Sequence, residues 1–259
     1  MSEEILKRIT NFSTRKELED HLVTELLADI AQPGLLLLPV GATYEEVIYS
    51  KLNEELYAKD DLINPNLFVS HLDEIILENA EIEVRQQCHE EQDSSLVKTP
   101  TLFSEILKSS LPNLVDKLGE RFYSIDTRHP EDFERFIHQR GGARAIYLGL
   151  GEDPSTAHVA FIGEDYINRE ISTVELAELS SSKLGVKQAV TIGTDVFKTP
   201  SLTKIVITIT GEEKTEAFKA AMENPDTGLG YLLSNHLEIL HIFCDHLFAQ
   251  GLKKLGIML

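Results

Sequence analysis

Segments with the pattern of a strand alternate with segments with the pattern of a helix along this chain of 259 residues. Residues 14–17 (Thr-Arg-Lys-Glu) form a capping box, which predicts a helix that runs to about residue 30. Residues 35–38 are four leucines and residues 204–210 are mostly β-branched, and both segments predict buried strands. Because such an alternation is typical of a mostly parallel sheet covered by helices, we expect an α/β fold.

Two parts of the chain show weaker patterns. Residues 77–98 are acidic and polar, and we expect a mobile excursion from the fold there. Residues 164–187 are also polar and show no clear strand. Since the sequence contains no internal repeat, low-complexity tract or linker rich in proline and serine, we expect residues 1–259 to form a single domain.

The charge of the chain restricts its partners. With 43 acidic and 24 basic residues, the formal net charge is −19. A surface of this charge repels nucleic acids and anionic membranes, and no basic stripe in the sequence offsets it. We therefore expect neither class as a partner, and an anionic ligand would need a local positive site.

The cysteines and the apolar segments indicate the cellular compartment in which we expect the protein. Cys88 and Cys244 are far apart and form no CxxC pair, which fits a reducing compartment and gives no metal signature. The first ten residues lack the apolar core of a signal peptide, and the longest apolar run, residues 35–38, is too short to cross a bilayer. We expect a cytoplasmic protein without a metal site.

The turn after the predicted strand at residues 35–38 contains Gly41, Ala42 and Thr43. Ligands of open parallel sheets bind beyond the carboxyl ends of the strands. Backbone N–H groups at a helix N-terminus can hold a phosphate, and a hydroxyl adds a donor. A tight turn with Thr43 as the N-cap explains the same residues equally well, so the turn alone leaves both interpretations open.

Asp73 and Glu74 follow a short predicted strand at residues 67–69. A carboxylate at the end of a strand can act as a general base if burial adjusts its pKa. Considered without its context, an exposed acidic pair is the simpler explanation.

Residues 149–153 (Gly-Leu-Gly-Glu-Asp) end another predicted strand, and His158 and Glu164 follow. The glycines allow the backbone to approach a ligand closely. A histidine flanked by carboxylates, here Asp153 and Glu164, can transfer protons near neutral pH. A structural histidine is an alternative of similar weight.

Lys214 lies in the first turn of the helix that is expected after Gly211. Its ammonium group could pair with a phosphate as a compact cation. An exposed helix lysine without a special function is the simpler alternative.

In their order along the chain, these segments resemble the family of glucosamine-6-phosphate deaminases and 6-phosphogluconolactonases. The similar segments are LPVGAT (residues 38–43), LDE (72–74), IHQRGGARAIYLGLGED (137–153), HVAF (158–161), AVTIG (189–193) and ITGEEK (209–214). Each segment is only moderately specific, but their shared order and spacing are more so, and together they cover most of the chain.

The resemblance implies a three-layer, Rossmann-like fold with a mostly parallel central sheet, and a phosphorylated sugar as the substrate, with no metal ion or other cofactor. It implies that Asp73 is the base that moves a proton between C2 and C1 of the sugar. His158 would help to open the sugar ring, supported by Asp153 and Glu164. The implied phosphate-binding residues are Gly41, Ala42, Thr43 and Lys214.

Within this family, the sequence is more similar to the deaminase branch than to the lactonase branch. Ile75 stands where lactonases have an arginine, and Glu164 follows the deaminase form. The chain also departs from the family, which usually has one glycine at the place of residues 154–157 and a hydroxyl residue at the place of Ala42.

Three functions are consistent with these patterns. The first is the isomerisation and deamination of glucosamine 6-phosphate to fructose 6-phosphate and ammonia, a step of amino sugar metabolism. The second is the hydrolysis of 6-phosphogluconolactone, with His158 activating water. The third is a non-catalytic sugar-phosphate-binding homologue, which the altered residues 154–157 motivate. The sequence leaves open which sugar phosphate binds and whether the chain forms a homo-oligomer.

Overall fold

The computed structural model describes residues 3–41, 43–77, 101–162 and 170–259. Its helices, numbered among these residues, are α1 (Glu3–Leu6), α2 (Arg15–Ile30), α3 (Tyr49–Ala58), α4 (Phe103–Ser110), α5 (Pro112–Leu118), α6 (Pro130–Gln139), α7 (Glu178–Leu184), α8 (Thr215–Glu223), α9 (Gly228–Asn235) and α10 (His246–Lys254). Its strands are β1 (Ile9–Asn11), β2 (Gly34–Leu38), β3 (Leu67–His71), β4 (Asp73–Ile76), β5 (Phe122–Tyr123), β6 (Ala143–Gly149), β7 (Ile171–Glu175), β8 (Gln188–Ile192), β9 (Lys204–Ile209) and β10 (Leu240–Cys244). The excursion expected at residues 77–98 lies almost entirely outside the described residues.

Seven strands form a central sheet in the order β1-β10-β9-β6-β2-β3-β5, and all of its pairs are parallel. The predicted strand at residues 35–38 is the core of β2, and the predicted strand at 204–210 corresponds to β9. The expected α/β fold with a mostly parallel central sheet is therefore confirmed.

Helices cover both faces of this sheet. Successive residues of β2 point to opposite faces, so that Leu35 and Leu37 join one apolar cluster while Leu36 and Leu38 join the other. The first cluster includes residues of α6, α8, α9 and α10, and the second includes residues of α2, α3, α4 and α5. The three layers that the resemblance implies are thus present. No helix in the described ranges is long and apolar enough to span a membrane.

The predicted capping box opens α2. The Thr14 hydroxyl accepts a hydrogen bond from the Glu17 backbone N–H at 3.1 Å, and the Glu17 carboxylate accepts one from the Ser13 N–H at 3.1 Å. These side chains satisfy N–H groups that the first turn of a helix leaves without a partner. The helix then runs to Ile30, as expected.

A second, smaller sheet lies at the carboxyl end of the central one. It has the order β4-β8-β7 and is antiparallel, with Asp73 opposite Thr191. The expectation that residues 164–187 contain no strand was wrong, because β7 occupies residues 171–175. This edge strand is buried mainly on one face and carries polar residues at its exposed positions, so it lacks the apolar run of a central strand.

The order of the strands creates a topological switch point at β2. From β2 the chain continues to β3 on one side of the sheet, whereas β6, β9 and β10 follow on the other side. Because all of these strands are parallel, the loops after β2, β3, β6 and β9 leave the sheet at the same edge. Ligand sites of open α/β sheets form at such an edge.

An ionic network stabilises the opposite edge of the sheet. Asp29, at the end of α2, accepts hydrogen bonds from Arg144 at 2.7 Å, Tyr147 at 2.5 Å and Lys204 at 2.7 Å. Burial raises the pKa of Asp29, but the hydrogen bonds from Lys204, Tyr147 and Arg144 outweigh it and lower the pKa below the usual value. The carboxylate therefore remains charged and connects α2 to β6 and β9.

Replacing Asp29 by alanine should lower the free energy of unfolding at neutral pH by about 3–5 kcal/mol, because Arg144 and Lys204 lose a buried counter-ion. Since the folded pKa is lowered, this contribution is present above about pH 4 and is lost as the pH falls through the folded pKa. Urea unfolding at several pH values measures both effects. Asp132→Ala is the matched control, because Asp132 pairs with Arg135 on an exposed helix face. An Asp29 variant as stable as this control would contradict the prediction.

Candidate active site

The loops after β2, β3, β6 and β9 surround a cleft of about 530 Å³. Five of the eight residues singled out from the sequence line it: Gly41, Thr43, Asp73, His158 and Lys214. Ala42 and Glu164 lie outside the described residues. Asp153 is described but does not line the cleft, whereas its neighbour Glu152 does.

The turn after β2 is attached to the end of β9. The Gly41 carbonyl accepts hydrogen bonds from the backbone N–H groups of Tyr44 at 2.9 Å and Glu45 at 3.1 Å, and thereby starts the helical turn that precedes α3. The hydroxyl groups of Thr43 and Thr210 lie 3.2 Å apart. The turn after β2 and the end of β9 thus place Gly41 and the hydroxyl groups of Thr43 and Thr210 close together. Small residues and hydroxyl groups of this kind can bind an oxyanion.

Asp73 lies at the start of β4 and is 7% exposed. The Thr191 hydroxyl is 2.5 Å from Asp73 Oδ1 and accepts the backbone N–H of Phe161 at 3.2 Å. Because the hydroxyl carries a single proton and Asp73 is its nearest acceptor, Thr191 donates this proton to the carboxyl group. The candidate base is thus connected to β8 and, through Thr191, to the loop that contains His158.

Burial of Asp73 raises its pKa to about 7, and the hydrogen bond from Thr191 opposes this effect. An ordinary aspartate ionises near pH 4. At neutral pH, the Asp73 carboxyl therefore exists in both protonation states, which is the condition under which a group both takes and returns a proton efficiently.

Two buried residues hold the backbone around Asp73. The Ile125 N–H donates to His71 Nε2 at 3.1 Å, so His71 donates from Nδ1 to the Asp73 carbonyl at 2.6 Å. Glu74 is 1% exposed and accepts the N–H groups of Phe103 at 2.7 Å and Ser104 at 3.0 Å. The interpretation of residues 73 and 74 as an exposed acidic pair was therefore wrong, and Glu74 caps α4 instead.

His158 lies in a loop with unusual backbone geometry. Ala157 and Ala160 have positive φ angles of 38° and 49°, which are uncommon for residues other than glycine. A Cβ atom on Gly151 would lie 2.2 Å from Cε1 of the His158 ring, so only glycine at this position allows the ring to lie over the backbone. The absence of a side chain at Gly151 therefore leaves room for the imidazole against the backbone.

The protonation of His158 follows from its surroundings. Burial lowers its pKa to about 4, with a further contribution from the positive charge of Lys214. At neutral pH the imidazole is uncharged and can accept a proton. The Thr156 hydroxyl is 3.3 Å from His158 Nδ1, and Thr156 belongs to residues 154–157, where the sequence departs from the family.

Asp153 and Glu152 have different surroundings. Asp153 Oδ1 accepts hydrogen bonds from the backbone N–H of Ser155 at 2.8 Å and its hydroxyl at 2.7 Å, which form a turn before His158. Glu152 binds Lys214 at 3.2 Å and Lys183 at 2.5 Å. The motif in the sequence directed attention to Asp153, and Glu152 was missed because its partners lie 31 and 62 residues away.

Lys214 is a partly buried residue of the cleft rather than an exposed helix lysine. Its side chain is 18% exposed, and burial lowers its pKa, which the nearby Glu152 opposes.

One cluster of potential metal ligands occurs among the described residues, formed by Glu134, His138 and Glu170 with their atoms within 4.8 Å of one another. These three residues are not part of the cleft.

No family model matches the chain, and no curated protein matches it. Solved structures do match. The chain is similar to a monomeric glucosamine-6-phosphate deaminase, with a TM-score of 0.70 and 18% identity over 94% of this chain and 99% of that chain. It is also similar to the 6-phosphogluconolactonases of Trypanosoma cruzi and Leishmania guyanensis. The Trypanosoma cruzi structure has a TM-score of 0.70 and 16% identity over 95% of this chain and 96% of that chain. The Leishmania guyanensis structure has a TM-score of 0.67 and 16% identity over 94% of this chain and 97% of that chain. The fold that the resemblance implied is therefore the fold of this chain.

The raised pKa of Asp73 predicts a cost in stability that depends on pH. Between about pH 4, where an unfolded aspartate ionises, and about pH 7, where folded Asp73 ionises, folding takes up a proton and stability falls as the pH rises. Asp73→Asn has no such dependence. Relative to the natural chain, this variant should therefore gain on the order of 2 kcal/mol between pH 5 and pH 8, since one pKa unit corresponds to about 1.4 kcal/mol.

Urea unfolding at these two pH values measures the gain. Asp226→Asn removes an exposed carboxylate and should show no comparable change. An equal effect of Asp73→Asn on stability at both pH values would show that Asp73 ionises normally.

Proposed function

We propose that the chain is a sugar-phosphate deaminase and isomerase, which converts glucosamine 6-phosphate and water to fructose 6-phosphate and ammonia. The observation that carries this proposal is the position of Asp73, a carboxyl group with a pKa of about 7 in the same cleft as a neutral His158 and the cation of Lys214. The similarity in fold to a glucosamine-6-phosphate deaminase supports it.

Asp73 has the properties that the isomerisation requires. In the open-chain sugar, its carboxylate takes the proton from C2, and the resulting carboxylic acid returns a proton to C1. In the same conversion the aldehyde oxygen at C1 gains a proton and the amino group loses one, so the product is an imine at C2, which water hydrolyses to the ketose with release of ammonia. A group with a pKa near the pH of the reaction serves both transfers, because neither protonation state is strongly favoured.

His158 has the properties that ring opening requires. An uncharged imidazole accepts the proton of the hydroxyl at C1 and delivers a proton to the ring oxygen as the C1–O5 bond breaks. The lowered pKa keeps the imidazole in its neutral form at neutral pH. The contact with Gly151 and the hydroxyl of Thr156 hold the ring in one orientation.

The phosphate group of the substrate is assigned to the end of the cleft formed by Gly41, Thr43 and Lys214. This end combines a helix start, two neighbouring hydroxyl groups and a partly buried cation. Such groups bind a phosphate dianion well. Asp73 and His158 line the same cleft and would act on the carbons of the bound sugar.

The hydrolysis of 6-phosphogluconolactone is the second candidate, and the neutral imidazole of His158 is the observation that favours it. A neutral imidazole can take a proton from water as the water attacks the lactone carbonyl. Ile75 argues against this function, because it is 1% exposed and packs into the small sheet where the lactonase branch has an arginine. Asp73 also has no evident part in lactone hydrolysis.

The purified chain should release ammonia from glucosamine 6-phosphate, and Asp73→Asn should reduce kcat by at least about a hundredfold, because general acid–base groups contribute that much or more. A panel of sugar phosphates with ammonia, ketose and lactone readouts measures this. Asp226→Asn is the matched control and should leave the rate unchanged.

Lactone hydrolysis above the spontaneous rate, lost in His158→Ala and retained in Asp73→Asn, would favour the second candidate. Binding of sugar phosphates without turnover in any readout would indicate a non-catalytic binding protein and contradict both enzyme functions.

The pH dependence tests the role of Asp73 more directly. For the natural chain, kcat/KM should rise with pH around a midpoint of about 7 as Asp73 ionises, while His158, with a pKa of about 4, stays neutral throughout. Because the Thr191 hydroxyl stabilises the ionised carboxylate, Thr191→Val should move this midpoint to higher pH.

Thr191→Ser keeps the hydroxyl group and should keep the midpoint close to that of the natural chain. A midpoint that is the same in the valine and serine variants would show that this hydrogen bond does not control the reacting base.

A further inference from the structure

The carboxylate of Glu152 lies between two lysines of the cleft. Lys183, on α7, donates to Glu152 Oε2 at 2.5 Å, and Lys214, after β9, donates to Oε1 at 3.2 Å. The three side chains come from different parts of the chain and line the same cleft. Each oxygen of one carboxylate thus binds one lysine, which is how two oxygens of a phosphate group would bind the same pair.

The charges around the cleft show why this arrangement matters. The charged side chains that line it, among the described residues, are the cations Arg15, Lys183 and Lys214 and the carboxylates Asp73, Glu152 and Glu213. Arg15 is already bound to Glu19 at 3.1 Å. Lys183 and Lys214 share a single carboxylate, so a dianion could bind both of them at the place of Glu152.

The exposure of these side chains indicates which of them can move. The side chain of Lys183 is 51% exposed and that of Glu152 is 33% exposed, whereas that of Lys214 is only 18% exposed. Long, exposed side chains exchange partners at little cost because water solvates the charges in between. Lys214 is the fixed cation, and Glu152 and Lys183 are the groups that can rearrange.

We propose that Glu152 is an internal competitor of the ligand's phosphate group and that Lys183 is a second phosphate-binding cation beside Lys214. In the free protein, Glu152 holds both ammonium groups at the cleft. When a phosphate binds, its oxygens replace the carboxylate oxygens on the two lysines, and Glu152 turns toward solvent. The sugar that carries the phosphate follows from the proposed function, but the exchange of anions does not depend on it.

This exchange has two consequences. Without a ligand, Lys183 and Lys214 are both paired with Glu152, and leaving the partly buried Lys214 without a counter-ion would be costly. When a ligand binds, the loss of the contacts between Glu152 and the lysines offsets part of the free energy gained by the phosphate. The affinity is therefore lower than it would be for two lysines without Glu152. Glu152 therefore sets the concentration of phosphorylated ligand at which the site fills.

The test measures the binding of inorganic phosphate to the chain of 259 residues by NMR titration at low ionic strength. Glu152→Gln removes the competing charge and keeps the shape of the side chain, and it should tighten phosphate binding by roughly three- to thirtyfold. Lys183→Gln should weaken binding at least about threefold, and the double variant should bind close to the natural chain, because competitor and second cation are both absent.

Glu55→Gln and Lys59→Gln are the matched controls. Glu55 on α3 and Lys59, directly after the last residue of this helix, form an exposed pair outside the cleft, and neither change should alter phosphate binding. Circular dichroism shows whether each variant is folded, and Glu152→Ala replaces the glutamine variant if that one is not.

Unchanged or weaker phosphate binding in a folded Glu152 variant would overturn the proposal, as would unchanged binding in Lys183→Gln. The result is independent of turnover. If the chain releases no ammonia but Glu152→Gln tightens phosphate binding, only the proposed function is contradicted. If the chain is active but its phosphate binding does not change in Glu152→Gln, only this inference is contradicted.

Discussion

The parallel pairing of β2 with both β3 and β6 is the constraint on which the cleft depends. The pairing of β2 with β3 places Leu38 beside His71. On the other side, β6 pairs with β9 in parallel, and Gly149 lies beside Thr208. Since parallel strands end at one edge, four loops that are far apart in sequence leave the sheet side by side. The ionic network of Asp29 at the opposite edge joins α2 to the starts of β6 and β9 and supports this arrangement.

The small antiparallel sheet determines the protonation of Asp73 in the cleft. It buries Asp73 against β8 and supplies the Thr191 hydroxyl, so one element both raises the pKa of the carboxyl group and limits how far it rises. Holding an ionisable group in this state reduces the stability of the fold. Active sites commonly combine activity with such a local cost, which the surrounding packing offsets.

The sequence predicted the central sheet better than the details of the cleft. The leucine run of β2 and the β-branched run of β9 depend on local pattern alone, and the ends of these strands indicated where Gly41, Thr43 and Lys214 would lie. The resemblance directed attention to Asp73 and His158, which line the same cleft. Their roles in a reaction are still predictions.

The missed features depend on contacts between distant residues. Thr191 binds Asp73 across 118 positions, and Glu152 binds Lys214 across 62, so spacing within a motif reveals neither contact. The strand β7 was missed because its exposed face is polar, and only pairing with β8 makes it a strand. The β-branched residues Ile171, Thr173 and Val174 could have suggested it.

The contact of Glu74 with α4 has a consequence for how this architecture can change during evolution. The backbone N–H of Phe103 donates to the Glu74 carboxylate at 2.7 Å, although the two residues lie 29 positions apart in the sequence. One buried carboxylate therefore joins the start of α4 to the strand that carries Asp73. A substitution at Glu74 would leave two buried N–H groups without this acceptor, so evolution can alter α4 or this strand only if another group replaces the carboxylate between them.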